Sequence, residues 1–549
     1  MMSFLSFTRI LKIKSIIGQQ TTLAKLVNLV IIILLTAELS IAFFYSWYSA
    51  LAFIVPSGGD MAAHSYIIKY GTSLDAYLNR AFQYPNIIHL MLYLADFKDL
   101  LLIPKVLGAI MFVTVFLGLL IYAFFFKHYL TNTIQGLSVL TGSLLLFLLC
   151  PVSLKRTVID GSLMELIDVL LLLPLCMLLF NNNRFFLTGF LYGLSMLNYL
   201  GFIEVSVFLL PAIFYRIIRR NLRFKQLAIL FSSFMLGGNF MIPRFISFLY
   251  RRLPLILRPG PQGSLQEILS TQSASSIGVL GVDAFTLIMV VLLSISLISL
   301  TLSVYERRPR IAVASFSCVL LLLMALVVSV VQVRPLRLAF FLLPLFIYYI
   351  LVSIIKIISS RLKLSSNAVK LLNAVCPIIF IVILFSGLIA ASSFIGISLD
   401  SPLSPQPLIR LDHDTLEVYR HLCKLVGSSG SGASTILYIG QTSPWLPYIL
   451  REQAPNSRFI QLNMWILSKL KEGDASSLGE ILYGSQGYLV IEGLRPNQWY
   501  YESTRALVNK ALSIELPGSI GQLMLKGYYG GKMIVIWYIN INEANQRSP

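Results

Sequence analysis

The sequence predicts a polytopic α-helical membrane protein of about eleven spans, followed by a C-terminal extracytoplasmic α/β domain. Three observations predict it. Only 12% of the 549 residues are charged and 57% are hydrophobic, whereas soluble domains carry about 25% charged residues. The apolar residues gather in runs of the length that crosses a bilayer, about 20 residues. Beyond residue 396 those runs give way to short alternating strand-like and helix-like segments. The division places a membrane domain over residues 1–396 and the α/β domain over 397–549.

The excess of 43 Lys and Arg over 24 Asp and Glu gives a formal charge of +19. A nucleic-acid binder would carry such charge on one solvated face. Here the basic residues punctuate apolar runs, so no nucleic-acid partner follows. Cys150, Cys176, Cys318, Cys376 and Cys423 show no CxxC or metal-like spacing, which argues against zinc and redox chemistry.

The apolar runs predict spans over 26–48, 102–126, 134–151, 163–180, 185–199, 201–218, 226–242, 285–304, 311–331, 336–356 and 370–394. The first is too long for a signal-peptide core despite the small residues Ala50-Leu51-Ala52. Orientation follows the Lys/Arg bias of the connections. One set holds Lys127, Arg184, Arg216, Arg219, Arg220, Arg223, Lys225, Arg307, Arg308, Arg310, Lys356, Arg361 and Lys363 against a single acid, Glu306. That set is read as cytoplasmic, with the N-terminus on the same side and the C-terminal domain outside a plasma membrane. The outer connections 51–101 and 243–283 are too long to be simple turns. The second, rich in Pro, Gly and Ser, has the character of a lid.

In the C-terminal domain, strand-like runs fall at 435–439, 458–462, 488–491 and 532–538, with helix-like runs at 444–453, 476–483 and 497–514. The Gly/Ser stretch 427–432 precedes its strand and opens no helix, so it reads as a connector and not as a phosphate loop.

The chemistry-bearing residues concentrate in the outer connections. Just beyond the first span, Gly58-Gly59-Asp60-Met61-Ala62-Ala63-His64 places Asp60 and His64 four apart, on one face of any helix that starts there. Asp60 also suits a plain helix N-cap, and the two roles are compatible. Downstream, in Gln83-Tyr84-Pro85-Asn86-Ile87-Ile88-His89, Pro85 fits a first helical turn with His89 one turn on. A lone loop histidine is otherwise an ordinary surface residue. Lys155 and Arg156, Arg244, and Arg334 and Arg337 stand at other outer span ends. The bland reading of these cations is contact with anionic headgroups. Glu165 and Asp168 open the fourth span, Glu38 lies within the first and Glu204 near the start of the sixth. Acids inside membrane segments are functional candidates, although pairing with a neighbouring cation explains them equally.

The first-loop aspartate, the Asp-x-x-x-His spacing and the following Tyr-Pro-x-x-x-His segment resemble the integral-membrane glycosyltransferases of the GT-C fold, in a prokaryotic branch. The layout resembles theirs along the whole chain, the motifs only over residues 50–100. Two departures stand out: Asp60 has no acidic neighbour, and the Trp-Trp-Asp-Tyr-Gly motif of oligosaccharyltransferases is absent. The resemblance implies inverting transfer of a sugar from a polyprenyl-phosphate donor to a glycan, lipid or protein acceptor at the outer face. It implies Asp60 as general base, with His64 and Glu165 beside it as catalytic candidates. His89, Lys155, Arg156, Arg244, Arg334 and Arg337 would bind substrate, and Arg337 resembles the family's late outer arginine at a span entrance. No metal ligands are assigned, and a divalent cation, magnesium or manganese, is the one cofactor left open. Membrane lipid is the remaining expected partner. Two rival readings are a transporter or flippase of lipid-linked sugars and a non-catalytic membrane scaffold.

Overall fold

A computed structural model describes residues 22–51, 87–97, 99, 101–130, 132–150, 166–197, 199–239, 282–327, 334–395, 413–428, 434–440, 457–482, 486–494, 502–518, 520–529 and 531–541, with a few single positions between. Among the described residues the elements of the first part are all helical: α1 (Thr22–Leu51), α2 (Ile87–Leu94), α3 (Leu102–Tyr129), α4 (Thr133–Leu149), a π-helical turn (Ile167–Leu172) continuing as α5 (Leu173–Asn181), α6 (Phe185–Leu194), α7 (Tyr199–Ile218), α8 (Phe224–Gly238), α9 (Val282–Tyr305), α10 (Pro309–Val327), α11 (Arg334–Arg361) and α12 (Ser366–Ile395). Each of the eleven predicted apolar segments therefore contains a helix.

Among the described residues five helices are long and apolar enough to cross a membrane: Thr22–Trp47, Leu102–Tyr129, Ile288–Tyr305, Leu338–Arg361 and Ser366–Ser393, fewer than the eleven spans expected. α4, α5, α6 and α8 are shorter, at 17, 9, 10 and 15 residues. α6 has 10 residues and rises about 15 Å, half of a hydrocarbon core about 30 Å thick. It stops where the Ser195 hydroxyl donates to the Tyr192 carbonyl at 2.6 Å, and a 3₁₀ turn, Ser195–Leu197, leads toward α7. Apolarity alone could not reveal this break.

Small residues set the closest helix contact. α6 carries Gly189 and Gly193, and α8 answers with Ser233 and Gly237, each pair four apart. A Cβ on Gly189 would overlap the Ser233 hydroxyl and the Leu230 carbonyl, and one on Gly193 would overlap the Phe234 carbonyl. Small-xxx-small faces let backbones meet where lipid supplies no hydrophobic drive for association. The pairing of Gly189 with Leu230 and of Gly193 with Phe234 shows that α6 and α8 run parallel.

The π-helical turn has a comparable support on α3. A π-helical insertion disturbs the regular carbonyl ladder, and the Tyr122 hydroxyl donates to the Val169 carbonyl at 2.7 Å. One turn earlier on α3, a Cβ on Gly118 would lie 2.5 Å from that of Leu170. Tyr122 itself stands edge-on to Phe341 of α11, with ring centroids 4.5 Å apart.

The C-terminal part comprises α13 (His413–Ser428), β1 (Thr435–Ile439), β2 (Arg458–Gln461), α14 (Met464–Glu472), α15 (Ala475–Leu482), β3 (Gln486–Glu492), α16 (Glu502–Leu512), β4 (Gly521–Tyr529) and β5 (Lys532–Asn540). The sheet order is β2-β1-β3-β5-β4. β1 pairs parallel with β2 and β3, while β5 runs antiparallel to β3 and β4. The four predicted strands are present. β4 and two helices, α13 and α14, were not anticipated, and α13 extends through Gly427 and Ser428, the start of the expected connector. The 444–453 helix-like run lies mostly outside the described residues.

Strand periodicity divides the core in two. Leu437, Ile439, Leu489, Ile491, Val535 and Ile539 share one cluster with α14, α15 and α16. The alternate residues, Ile436, Tyr438, Tyr488, Val490, Ile534 and Ile536, belong to a second cluster that takes in α13 and is continuous with the helical bundle. Local signals fix the small helices. Asn463 accepts from the Ile466 N–H at 2.9 Å to start α14, and Gly473, at φ 71°, ends it. Asp474 accepts from the Ser477 N–H and hydroxyl at 3.1 and 2.7 Å to start α15. Those bonds, with Lys469 at 3.2 Å, hold the Asp474 carboxyl at about 2. Burial pushes the Cys423 thiol up to about 12, so this cysteine of α13 is an inert core residue.

One ion pair lies inside this part. Lys532 Nζ is 3.0 Å from Glu492 Oε2, both side chains 1% exposed, and the Tyr419 hydroxyl donates to the other carboxylate oxygen. Pairing and hydrogen bonds are what make such buried charges tolerable.

Two outcomes are expected for thermal unfolding in detergent. Gly189→Ala costs about 1–3 kcal/mol from overpacking, whereas Gly387→Ala, where a new Cβ meets nothing within 4 Å, gains about 0.5–1 kcal/mol in helix preference. Equal effects at the two sites would refute the α6–α8 contact. Lys532→Met alone costs about 3–5 kcal/mol, and most of this returns when Glu492→Leu and Tyr419→Phe are added; an additive further loss would contradict it.

Candidate functional site

The helical bundle has two chemically different ends, and side-chain contacts identify them. At one end Arg310, in the first turn of α10, donates to the His128 carbonyl of α3 at 3.1 Å. Arg216 of α7 donates to the Asn183 side chain at 2.7 Å and to the Asn181 carbonyl at 3.3 Å. Glu306, just past α9, accepts from Tyr349 at 3.1 Å and lies 3.6 Å from Lys356, both on α11. The C-terminal ends of α3, α5, α7, α9 and α11 therefore meet, together with the short turns that follow them.

Four of these turns share one form. Asn183, Arg220, Arg307 and Lys363 have φ of 60, 55, 57 and 49°. In each, the next N–H reaches back to a carbonyl of the last helical turn: Arg184 to Leu179, Asn221 to Arg216, Arg308 to Ser303 and Leu364 to Ser359. This is the Schellman closure, whose left-handed position ordinarily goes to glycine. A non-glycine residue there costs about 1–2 kcal/mol. Three of the four are cations, which interact favourably with the negative end of the helix dipole.

Between these turns lies a cavity of about 380 Å³, lined by residues that include Tyr129, Phe180, Asn181, Asn183, Tyr215, Arg216, Asn221 and Arg310. The Arg216 guanidinium sits 4.5 Å from the Phe180 ring centroid. Sequence reasoning used Arg216 and Arg310 only as markers of sidedness. Their common cavity depends on how α7 and α10 pack, which spacing does not encode.

The opposite end carries the long connections. Helix polarity puts Leu102, Ile167, Gly238, Val282, Val327, Arg334 and Ile395 at this second end, and Phe43 of α1 lies beside Phe112 and Phe116 midway along α3, with ring centroids 6.3 and 5.4 Å apart. Asp99 marks the entry to α3, its carboxylate accepting from the Leu101 and Leu102 N–H groups at 2.8 and 3.2 Å.

Asp60, His64, Lys155, Arg156, Glu165 and Arg244 lie outside the described residues. His89 is the third residue of α2 (Ile87–Leu94), and Pro85 lies outside the described residues. Arg334 and Arg337 are the first and fourth residues of α11. Arg337 is 19 positions from Lys356, or about 28 Å along the helix. Three acids anticipated inside the membrane segments are buried in the bundle: Glu38 on α1, Asp168 on the π-helical turn and Glu204 on α7. Single π-helical turns recur at functional sites, and this one stands directly after the connection bearing Lys155, Arg156 and Glu165. Among the described residues no three His, Cys, Asp or Glu side chains form a metal-binding group.

Arg307→Gly is expected to raise thermal stability by about 1 kcal/mol by relieving the left-handed position. An unchanged or lower midpoint in a melting experiment would show that the turn carries no such cost. In comparisons with known proteins, no family model matches the chain, and the curated proteins include no significant match to it.

Proposed function

We propose that the chain is a membrane glycosyltransferase of GT-C-like layout, transferring a sugar from a polyprenyl-phosphate donor to a hydroxyl acceptor. In this reading the eleven apolar helical segments traverse the membrane, the basic turns face the cytoplasm, and transfer takes place at the outer end. What supports it is one observation: the described helix ends flanking Lys155, Arg156, Glu165 and Arg244, the start of α11 with Arg334 and Arg337, and the start of α3, which follows the stretch bearing Asp60, His64 and His89, all belong to one end of the bundle, away from the basic turns.

The chemistry assigns each group a task. Asp60 takes the proton of the acceptor hydroxyl as that oxygen bonds to the anomeric carbon from the face opposite the phosphate. The carbon–oxygen bond to phosphate breaks, and the leaving polyprenyl phosphate keeps the electron pair. Positive charge from Arg337, Arg334, Arg244, Lys155 and Arg156 stabilises that developing anion, the kind of fixed electrostatic support that contributes most when water is excluded. His64, one turn from Asp60, and Glu165 assist the base, and His89 contacts substrate. The C-terminal α/β part serves the acceptor or braces the bundle.

A second reading, transport of a lipid-linked sugar, is favoured by Glu38, Asp168 and Glu204, acids buried within the bundle, because charges deep in spans mark transport pathways. Membranes containing the protein, supplied with a panel of radiolabelled polyprenyl-phosphate sugars, distinguish the two. Transferase action yields a glycosidic product, and Asp60→Asn lowers its formation by about 10²–10⁴-fold while insertion and expression hold. Undiminished product formation in that variant overturns the role of Asp60. Relocation of intact donor with no new glycosidic bond replaces the transferase reading with the transporter.

A further inference from the structure

The cavity among the basic turns lies at the other end of the bundle and has no part in the proposed transfer. Arg216 and Arg310 both line it, in company with Asn181, Asn183, Asn221 and Tyr215. No carboxylate does so among the described residues. Glu306, the acid of the neighbouring turn, is occupied by Lys356 and Tyr349. The two guanidinium groups share this one lining, and like charges on a part-buried surface repel, a repulsion that a bound anion relieves.

Both cations are held in place by neutral acceptors. Arg216 spends two donors on Asn183 and the Asn181 carbonyl, and Arg310 spends one on the His128 carbonyl. A guanidinium has five donors in a rigid fork, so each keeps several for a ligand. That fork matches the oxygen geometry of phosphate, and the asparagine amides add neutral donors. The volume falls within the range of small-ligand sites, about 300–1,000 Å³. Phe214, Ile217 and Ile218, beside Arg216 on α7, are exposed apolar side chains, which sets the cavity beside a lipid-facing surface.

We infer that this cavity binds a phosphoryl group, gripped between Arg216 and Arg310. The group arrives either on a membrane lipid or on a water-borne phosphate compound. Thermal unfolding of the full chain separates the sources, using inorganic phosphate with protein in detergent, and phosphatidylcholine nanodiscs with and without phosphatidic acid. Arg310→Gln carries the test, because its one hydrogen bond to His128 is a small structural loss. Arg219→Gln removes the same charge from an exposed residue that does not line the cavity.

Stabilisation by inorganic phosphate that persists in Arg219→Gln and weakens about tenfold or more in apparent affinity in Arg310→Gln establishes a water-borne ligand. The same pattern with phosphatidic acid alone establishes a lipid headgroup. No stabilisation by either, or equal loss in the two variants, overturns the inference. Asp60 takes no part in these measurements, so their failure is separate from failure of the transferase reading.

Discussion

Backbone groups that enter a bilayer must find their hydrogen bonds within the protein, and the architecture depends on that requirement. Its hardest test comes where helices end. Carbonyls in the last turns of α5, α7, α9 and α11 are closed by the same left-handed turn, so these four alternate helices give way to the next in three to five residues with those carbonyls re-paired. Placing Arg220, Arg307 and Lys363 where glycine would be easier concentrates positive charge at one end of the bundle. The turn thus does two things at once, terminating the helix and setting a cation against the negative end of its dipole.

The same requirement governs the irregular places. The carbonyl of Val169 in the π-helical turn has its partner in Tyr122, and the shortened α6 ends on the Ser195 hydroxyl. Each departure from regular helix is answered by a specific side chain nearby. Close backbone approach at Gly189 and Gly193 then locks α6 to α8, so the segment most interrupted in sequence is also one of the most tightly packed.

Helix positions were legible because 20-residue apolar runs have few alternative folds in lipid. Helix lengths were not: Ser195 and the residues after it look unremarkable in an apolar block, and the break depends on one hydroxyl turning back on its own helix. In the C-terminal part the central strands β1 and β3 were legible as continuous apolar runs, as expected for strands covered on both faces. β4 was not, since its residues are largely exposed and its position is dictated by pairing with β5. Of the proposed transfer site, the sequence offered residues at span ends, six of them outside the described residues, and helix polarity places the described ends beside Lys155, Arg156, Arg244 and Arg334 on one side. The Arg216–Arg310 cavity was hidden because cations in short loops read only as sidedness markers until packing brings two loops together.

The outer margin of the sheet has a consequence for neighbouring copies of the chain. Among the described residues β4 is a nine-residue edge strand with no strand paired on its far side, and chains tethered in a membrane meet one another far more often than chains free in solution. A register shift between Leu523 and Leu525 kinks that margin, and Lys526 sets a charge beside the kink. Bulges and lysines are how natural sheets discourage a second strand from adding on. The irregularity in β4 thereby makes strand addition by a crowded neighbour less favourable.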